Sequence, residues 1–219
     1  MTTPVYLEVG SKRVFACSLE WPGWCRSGRT EEAALEALAA YAPRYAPVVD
    51  EAGRRFPKTA AHSLEVVERR PGSGTTDFGA PGEPAEADLQ PLGKAQAARL
   101  ADLLRACWVV FDRVVASAPP TLREGPRGGG RDRDAIVEHV LGAEVGYARM
   151  LGLRLRQPPG DDRDAVEAAR ASVEAAIRNA RAPLPVDRPK GWPYRYAARR
   201  FAWHVLDHAW ETEDRAQPA

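Results

Sequence analysis

Cysteine is scarce in this chain of 219 residues: Cys17, Cys25 and Cys107 are the only three, and none forms a C-x-x-C pair. An odd number of cysteines without paired spacing argues against a disulfide framework and favours a reducing compartment, so we expect a cytoplasmic protein. The first residues have no basic segment followed by an apolar run, which argues against a secretory signal peptide. No apolar stretch is long enough to span a bilayer, so we expect no membrane partner.

An excess of charge of either sign is also lacking. Lys and Arg together number 31 and Asp and Glu 30, which gives a formal net charge of +1. Such a balance produces no overall field that would attract nucleic acid or an anionic membrane surface, so we predict neither partner. Apolar residues make up 44% of the sequence, and a chain of this length can fold into two compact domains, each with its own core.

The first part of the sequence has the period of two that is typical of β-strands. Residues 5–28 and 63–70 alternate in this way, and Phe15 and Cys17 share one predicted inward face. Thr30 is followed by two glutamates, which predicts a helix that Thr30 caps. We therefore expect a small antiparallel sheet with helices over residues 1–72. In this domain we expect Cys25 to be more exposed than Cys17.

The rest of the sequence divides into a linker and a helical region. Residues 73–91 are rich in Gly and Pro, and we predict that they form no packed element and mark the domain boundary. Beyond them, apolar residues recur at the spacing of amphipathic helices. The four predicted helices cover about residues 92–117, 134–153, 162–181 and 194–214. Four helices of this length predict a four-helix bundle over residues 92–215, and the fold class is therefore α+β.

Two of the four histidines of the chain, His204 and His208, are four residues apart on the last predicted helix. Side chains at this spacing lie one above the other and can point at a single atom. His139, on the apolar stripe of the second helix, is the candidate for a third ligand from a facing helix. Three neutral imidazoles can hold a divalent cation and leave a position open for water or substrate. Glu211 lies close enough in sequence to orient an imidazole or to accept a proton.

The spacing of these histidines is also compatible with a simpler interpretation. Histidines on helices are often hydrogen-bonded core or surface groups, and H-x-x-x-H alone is a weak motif. Residues 205–207 are Val, Leu and Asp, so the H-E-x-x-H signature is absent, which argues against a metalloprotease of that type. His62, near the last predicted strand, is expected to be solvated.

The segments "IVEHVLGAEVGYARML" and "RRFAWHVLDHAWETEDR" together resemble the DinB/YfiT-like family of bacterial four-helix proteins. The family pattern has one histidine early in the second helix and an H-x-x-x-H in the last. The resemblance covers about residues 92–215 and implies that His139, His204 and His208 bind a divalent metal, which is zinc, nickel or manganese in the family. It also implies a bacterial enzyme, since some members are transferases or isomerases that use low-molecular-weight thiols such as mycothiol, bacillithiol or glutathione.

The segment "VFACSLEWPGWCRSGRTEEAALEAL" resembles the HicB-like antitoxin fold. The resemblance implies a small three-stranded sheet with helices, plus the strand near residues 64–70, and a module that binds or docks a protein partner. The positions that match the family pattern are Glu20, Pro22, Gly23, Gly28, Thr30, Glu32 and Ala33.

These observations lead to two functional hypotheses and a third interpretation in which the histidines have no functional role. The first is a metal-dependent enzyme, a thiol-dependent S-transferase or isomerase or else a hydrolase, which acts on a small molecule with Glu211 as the catalytic residue. The second is a non-catalytic binding or regulatory protein of HicB-like, toxin–antitoxin ancestry. The third is a metal-free scaffold whose histidines are satisfied internally. A homodimer is compatible with each of them.

Overall fold

The computed structural model describes residues 2–125, 130–185 and 190–216, and within them it has a mixed α+β fold. The four strands are β1 (Thr3–Val9), β2 (Val14–Ser18), β3 (Cys25–Gly28) and β4 (Leu64–Pro71). They form one sheet in the order β3-β2-β1-β4. The predicted strand regions, residues 5–28 and 63–70, are thereby confirmed as strand-containing.

The predicted antiparallel sheet is wrong in one pairing. β2 runs antiparallel to both β1 and β3, but β4 lies on the other side of β1 and runs parallel to it. Two helices separate β3 from β4 in the chain, and a crossover of this kind is what parallel strands require. Hydrophobic alternation reports which face of a strand is buried and carries no information on strand direction, so the sequence could not distinguish the two arrangements.

Seven α-helices complete the described fold. They are α1 (Glu31–Ala40), α2 (Ala42–Glu51), α3 (Gly74–Phe78), α4 (Lys94–Ser117), α5 (Arg133–Met150), α6 (Arg163–Arg178) and α7 (Tyr194–Ala216). The predicted cap of α1 is confirmed, because the Thr30 hydroxyl accepts a hydrogen bond of 3.2 Å from the backbone N–H of Ala33. The Asp162 carboxylate caps α6 in the same way. Among the long helices, α4 packs against α6 and α7, and α5 packs against α7.

The segment 73–91, predicted to form no packed element, is in fact packed. It contains α3 and a 3-10 turn over Glu86–Leu89. The buried Glu8 carboxylate on β1 accepts hydrogen bonds from the backbone N–H groups of Gly82 and Glu83, at 2.8 and 3.0 Å. Fixed polar contacts of this kind hold a Gly- and Pro-rich segment in place where apolar burial cannot, because such a segment has few large side chains.

Both faces of β1 and β2 are buried against other parts of the chain. On one face, the side chains of β1 and β2 join a large apolar core that continues through α1 and α2 into α4 and α7. On the other face, Ala85 and, from α7, Trp203 pack against four side chains of the sheet, those of Tyr6, Phe15, Cys17 and Cys25. The sheet and the long helices therefore share one continuous core, and the predicted division into domains at residues 73–91 stays a prediction.

The prediction that Cys25 is more exposed than Cys17 is wrong, since both side chains are buried. The two residues face each other across β2 and β3, with their Sγ atoms 2.9 Å apart. Burial is the main cause that raises the pKa of the Cys25 thiol, and it also raises the pKa of Cys107. The thiols of Cys25 and Cys107 are thus protonated core groups at neutral pH.

None of the helices formed by the described residues combines the length and the apolar character needed to cross a membrane.

Candidate functional site

Two helices, α5 and α7, present the candidate site where they pack against each other. On α5, the buried residues Ile136 and Val140 lie on either side of His139 in the sequence and fix that face of the helix in the core. On α7, Phe201 and Val205 do the same beside His204. Apolar burial on two facing helices therefore determines where the imidazoles lie.

The structure brings His139, His204 and His208 together. The Nε2 atoms of His139 and His204 are 3.3 Å apart, and the nearest ligand-capable nitrogens of all three residues lie within 4.8 Å of one another. The ring centroids are separated by 4.7 to 5.2 Å. His204 is buried, while His139 and His208 are half-buried, so this histidine cluster opens towards solvent on one side.

One distance within the histidine cluster matches the spacing of two ligands around a bound cation. A tetrahedral ion with metal–nitrogen bonds of about 2.0–2.1 Å separates its ligand nitrogens by about 3.3–3.4 Å, which matches the distance from His139 to His204. The same distance also fits a hydrogen bond between two neutral imidazoles, one of which donates. Among the described residues, no other group of three His, Cys, Asp or Glu side chains has this convergence.

Glu211 contacts one of the three imidazoles. One of its oxygens lies 2.9 Å from Nδ1 of His208, and the other accepts a hydrogen bond of 2.9 Å from Arg215. With Nδ1 engaged, Nε2 is the nitrogen of His208 that can serve a ligand, as is common for metal-binding histidines. The hydrogen bond to His208 is the first cause that lowers the pKa of Glu211, so the carboxylate is ionised and suited to orienting the ring.

The electrostatic environment keeps two of the imidazoles neutral. Burial is the largest cause that lowers the pKa of His204, followed by the charges of His208 and Arg200. Burial also lowers the pKa of His139, with His208 as the next cause. Neutral imidazole is the form that binds a metal ion, so both residues are in the binding form at neutral pH.

Arg200 is the residue beside the cluster that sequence reasoning missed. It lies four residues before His204 on α7 and is buried, with Nη1 making no hydrogen bond. Its guanidinium stacks over the rings of Tyr147 and Trp203. The helical spacing that relates His204 to His208 also relates Arg200 to His204, so the signal was present in the sequence.

A large groove of about 890 Å³ lies on another side of α5, between α4 and α6. Its walls combine apolar side chains such as Phe111 and Val137 with several carboxylates, among them Glu138. None of the three clustered histidines lines it. His62 is exposed and lies outside the cluster, in agreement with the expectation that it is solvated.

No family model, no curated protein and no solved structure matches this chain. The function must therefore be inferred from the histidine cluster and its surroundings.

Proposed function

We propose that His139, His204 and His208 bind one divalent cation and that the protein is a metal-dependent enzyme acting on a small molecule. The observation that carries this proposal is the convergence of three imidazoles from two helices, with the Nε2 atoms of His139 and His204 3.3 Å apart. Helices α4 to α7 would then correspond to a bundle of the DinB type. A donor set of three imidazoles suits zinc or nickel better than manganese, which prefers oxygen ligands.

The residues around the cation would have separate tasks. A divalent cation in such a site lowers the pKa of a coordinated water or thiol, which is the chemistry that transfer or hydrolysis requires. Glu211 positions His208 through its Nδ1, and its lowered pKa makes it a weak proton acceptor. We therefore assign Glu211 a positioning role, in preference to the catalytic role that the sequence suggested.

The test is the metal content of the untagged protein, measured by native mass spectrometry and elemental analysis. We expect one zinc or nickel per chain in the wild type and loss of that metal in His204→Ala and His208→Ala. His62→Ala is the matched control, because this exposed histidine lies outside the cluster, and it should keep the full metal content. A wild-type protein that takes up no divalent metal under saturating conditions would refute the proposal.

A second candidate function, docking of a protein partner by the HicB-like part, rests on a different observation. β4 is an edge strand, and Val67 on it is 51% exposed; Phe78 on α3 is 91% exposed. An exposed apolar residue on an edge strand, such as Val67, is typical of surfaces that pair with another chain. Size-exclusion chromatography with light scattering should detect a homodimer or a co-purifying partner that Val67→Lys or Phe78→Ser releases, and an unchanged monomer would contradict this candidate.

A further inference from the structure

Arg200 differs from the other deeply buried arginines of the described chain. Four arginines are at least nine-tenths buried, and three of them are paired with a carboxylate. The pairs are Arg170 with Asp112, Arg199 with Asp88 and Arg215 with Glu211. No carboxylate of the described residues pairs with Arg200, which is only 9% exposed, and its buried Nη1 has no hydrogen-bond acceptor.

The aromatic side chains around Arg200 contact its guanidinium but do not neutralise its charge. Its guanidinium carbon lies 5.2 Å from the ring centroid of Tyr147 and 4.7 Å from that of Trp203. Aromatic faces attract a cation, but they supply neither a negative charge nor a hydrogen-bond acceptor in the guanidinium plane. A buried cation without a counter-charge is costly, so its retention points to a partner that arrives from outside the chain.

Arg200 is also placed to act together with the histidine cluster. It precedes His204 by one helical turn on the same row of α7, where side chains four residues apart are neighbours. Tyr147 connects the two groups, because its ring lies 5.5 Å from the ring of His204 and under the Arg200 guanidinium. A ligand that lies along the Tyr147 ring would therefore be near both groups.

We propose that Arg200 binds the carboxylate of a small organic acid that occupies the site of the histidine cluster, so that the substrate class is a carboxylate-bearing molecule. This inference rests on the proposed function of the same site. A guanidinium presents two parallel N–H groups that match a carboxylate. The aromatic walls of Tyr147 and Trp203, with Trp192 5.1 Å from Tyr147, suit a flat apolar body attached to that carboxylate.

A bound water is the alternative partner for Nη1. A cavity of about 10 Å³ is lined by Arg200 and Trp203, and such a volume holds about one water molecule. A water satisfies a hydrogen bond but brings no negative charge, so only the anion hypothesis predicts discrimination between a carboxylate and a neutral molecule of the same shape.

The experiment is a calorimetric titration of the full-length protein with benzoate and with benzamide, its neutral counterpart. Zinc content is measured for each sample before titration. We expect benzoate to bind the zinc-loaded wild type, and Arg200→Met to weaken it about 10- to 100-fold, since a hydrogen bond to a charged group contributes that much. Benzamide should bind as weakly to the wild type as benzoate does to Arg200→Met.

Arg195→Met is the matched control, because Arg195 lies on the same helix and its contacts are with the carbonyls of Gln90 and Pro91 and the side chain of Gln96. This variant should bind benzoate like the wild type. If Arg200→Met does not fold, the arginine side-chain NMR signals of the wild type and of Arg200→Lys are compared instead. Benzoate should shift one wild-type signal that the lysine variant lacks.

Failure of this inference is distinguishable from failure of the proposed function. Three results at full zinc content would overturn the carboxylate site and leave the metal site intact. Benzoate does not bind, or the wild type and Arg200→Met bind it equally, or the wild type binds benzoate and benzamide equally. Absence of any bound divalent metal under saturating conditions, together with Arg200-dependent benzoate binding, would support the carboxylate site and refute the metal-dependent function.

Discussion

Two faces of helix α7 differ in how their buried polar groups are satisfied. On the face towards the sheet, Arg199 pairs with Asp88, and Trp203 packs edge-on against Phe15 with ring centroids 6.0 Å apart. On the face towards α5, Nη1 of Arg200 and Nδ1 of His204 are buried without a hydrogen-bond partner. Nε of Arg199 also has no partner, so the two faces differ in charge: the charge of Arg199 is paired within the chain and that of Arg200 is not. We call the face of Arg199 the complete face and the face of Arg200 and His204 the incomplete face.

We propose that this difference separates residues that hold the fold from residues that bind a ligand. Most buried polar groups in native proteins are hydrogen-bonded, so each exception requires an explanation. Arg199 has a structural role, because its carboxylate partner Asp88 connects the segment 73–91 to α7. Arg200 and His204 carry their unsatisfied atoms one helical turn apart, and His204 is one of three convergent imidazoles, which is the arrangement expected of a binding site.

The largest expected effect comes from breaking the complete face. Asp88→Ala removes the partner of the buried Arg199, and we expect it to lower the free energy of unfolding by about 3–5 kcal/mol, because an uncompensated charge stays buried. Urea denaturation measures the change. The control is Glu31→Ala, which breaks the exposed pair with Arg69 and should cost at most about 1 kcal/mol. Equal losses in the two variants would show that Arg199 and Asp88 are not a structural pair.

A smaller effect is expected at the edge of the incomplete face. Glu211→Gln weakens the hydrogen bond that orients His208, and we expect it to lower the affinity for zinc by about 10- to 100-fold while the protein stays folded. Competition with a chelating dye measures the affinity. Glu213→Gln changes a neighbouring carboxylate that pairs with Arg44, and it should leave zinc affinity unchanged. A Glu211→Gln variant with wild-type affinity would remove the positioning role.

The incomplete face should also make stability depend on pH. The pKa of His204 in the folded protein is lowered by burial, so below the ordinary histidine pKa of about 6.5 the unfolded chain binds a proton that the folded chain does not. The metal-free protein therefore keeps this contribution to its free energy of unfolding above that pH. The free energy of unfolding decreases as pH falls further, by at most about 1.4 kcal/mol per pH unit. Urea denaturation at pH 7.5 and 5.5 measures the slope, and His204→Phe should reduce it. An equal slope in both proteins would contradict this cause.

The smallest effect should be that of His204→Phe on the metal-free protein at pH 7.5. The variant replaces a buried imidazole whose Nδ1 has no partner with an apolar ring of similar size, so we expect a change in stability within about 1 kcal/mol. A loss of several kcal/mol by urea denaturation would show that His204 holds the fold, and the contrast between the two faces would fail.

The sequence predicted the features that depend on short-range pattern. Thr30 caps the helix that it was expected to cap, and the residues of the long helices follow their apolar spacing. The convergence of His139 with His204 and His208 was also expected, because a stripe of apolar neighbours places each of them on an inward face.

Most of the features that the sequence did not reveal depend on contacts between distant segments. The parallel pairing of β4 follows the helical crossover between β3 and β4, and the burial of Cys25 follows from the packing of Trp203 of α7 on the sheet. The order in segment 73–91 depends on Glu8 and on Arg199, which lie far from it in the chain. Arg200 was missed for a different reason, because an arginine on a helix is normally solvated and only the structure shows that it is buried without a counter-charge.

The most direct measurement of the central claim is the zinc K-edge X-ray absorption spectrum of the zinc-loaded protein. The claim that three imidazoles bind one cation predicts about three histidine nitrogens at about 2.0–2.1 Å, with the outer-shell scattering of imidazole rings, and loss of that signal in His204→Ala. A first shell of oxygen or sulfur alone, or a spectrum that is identical in wild type and His204→Ala, would contradict it.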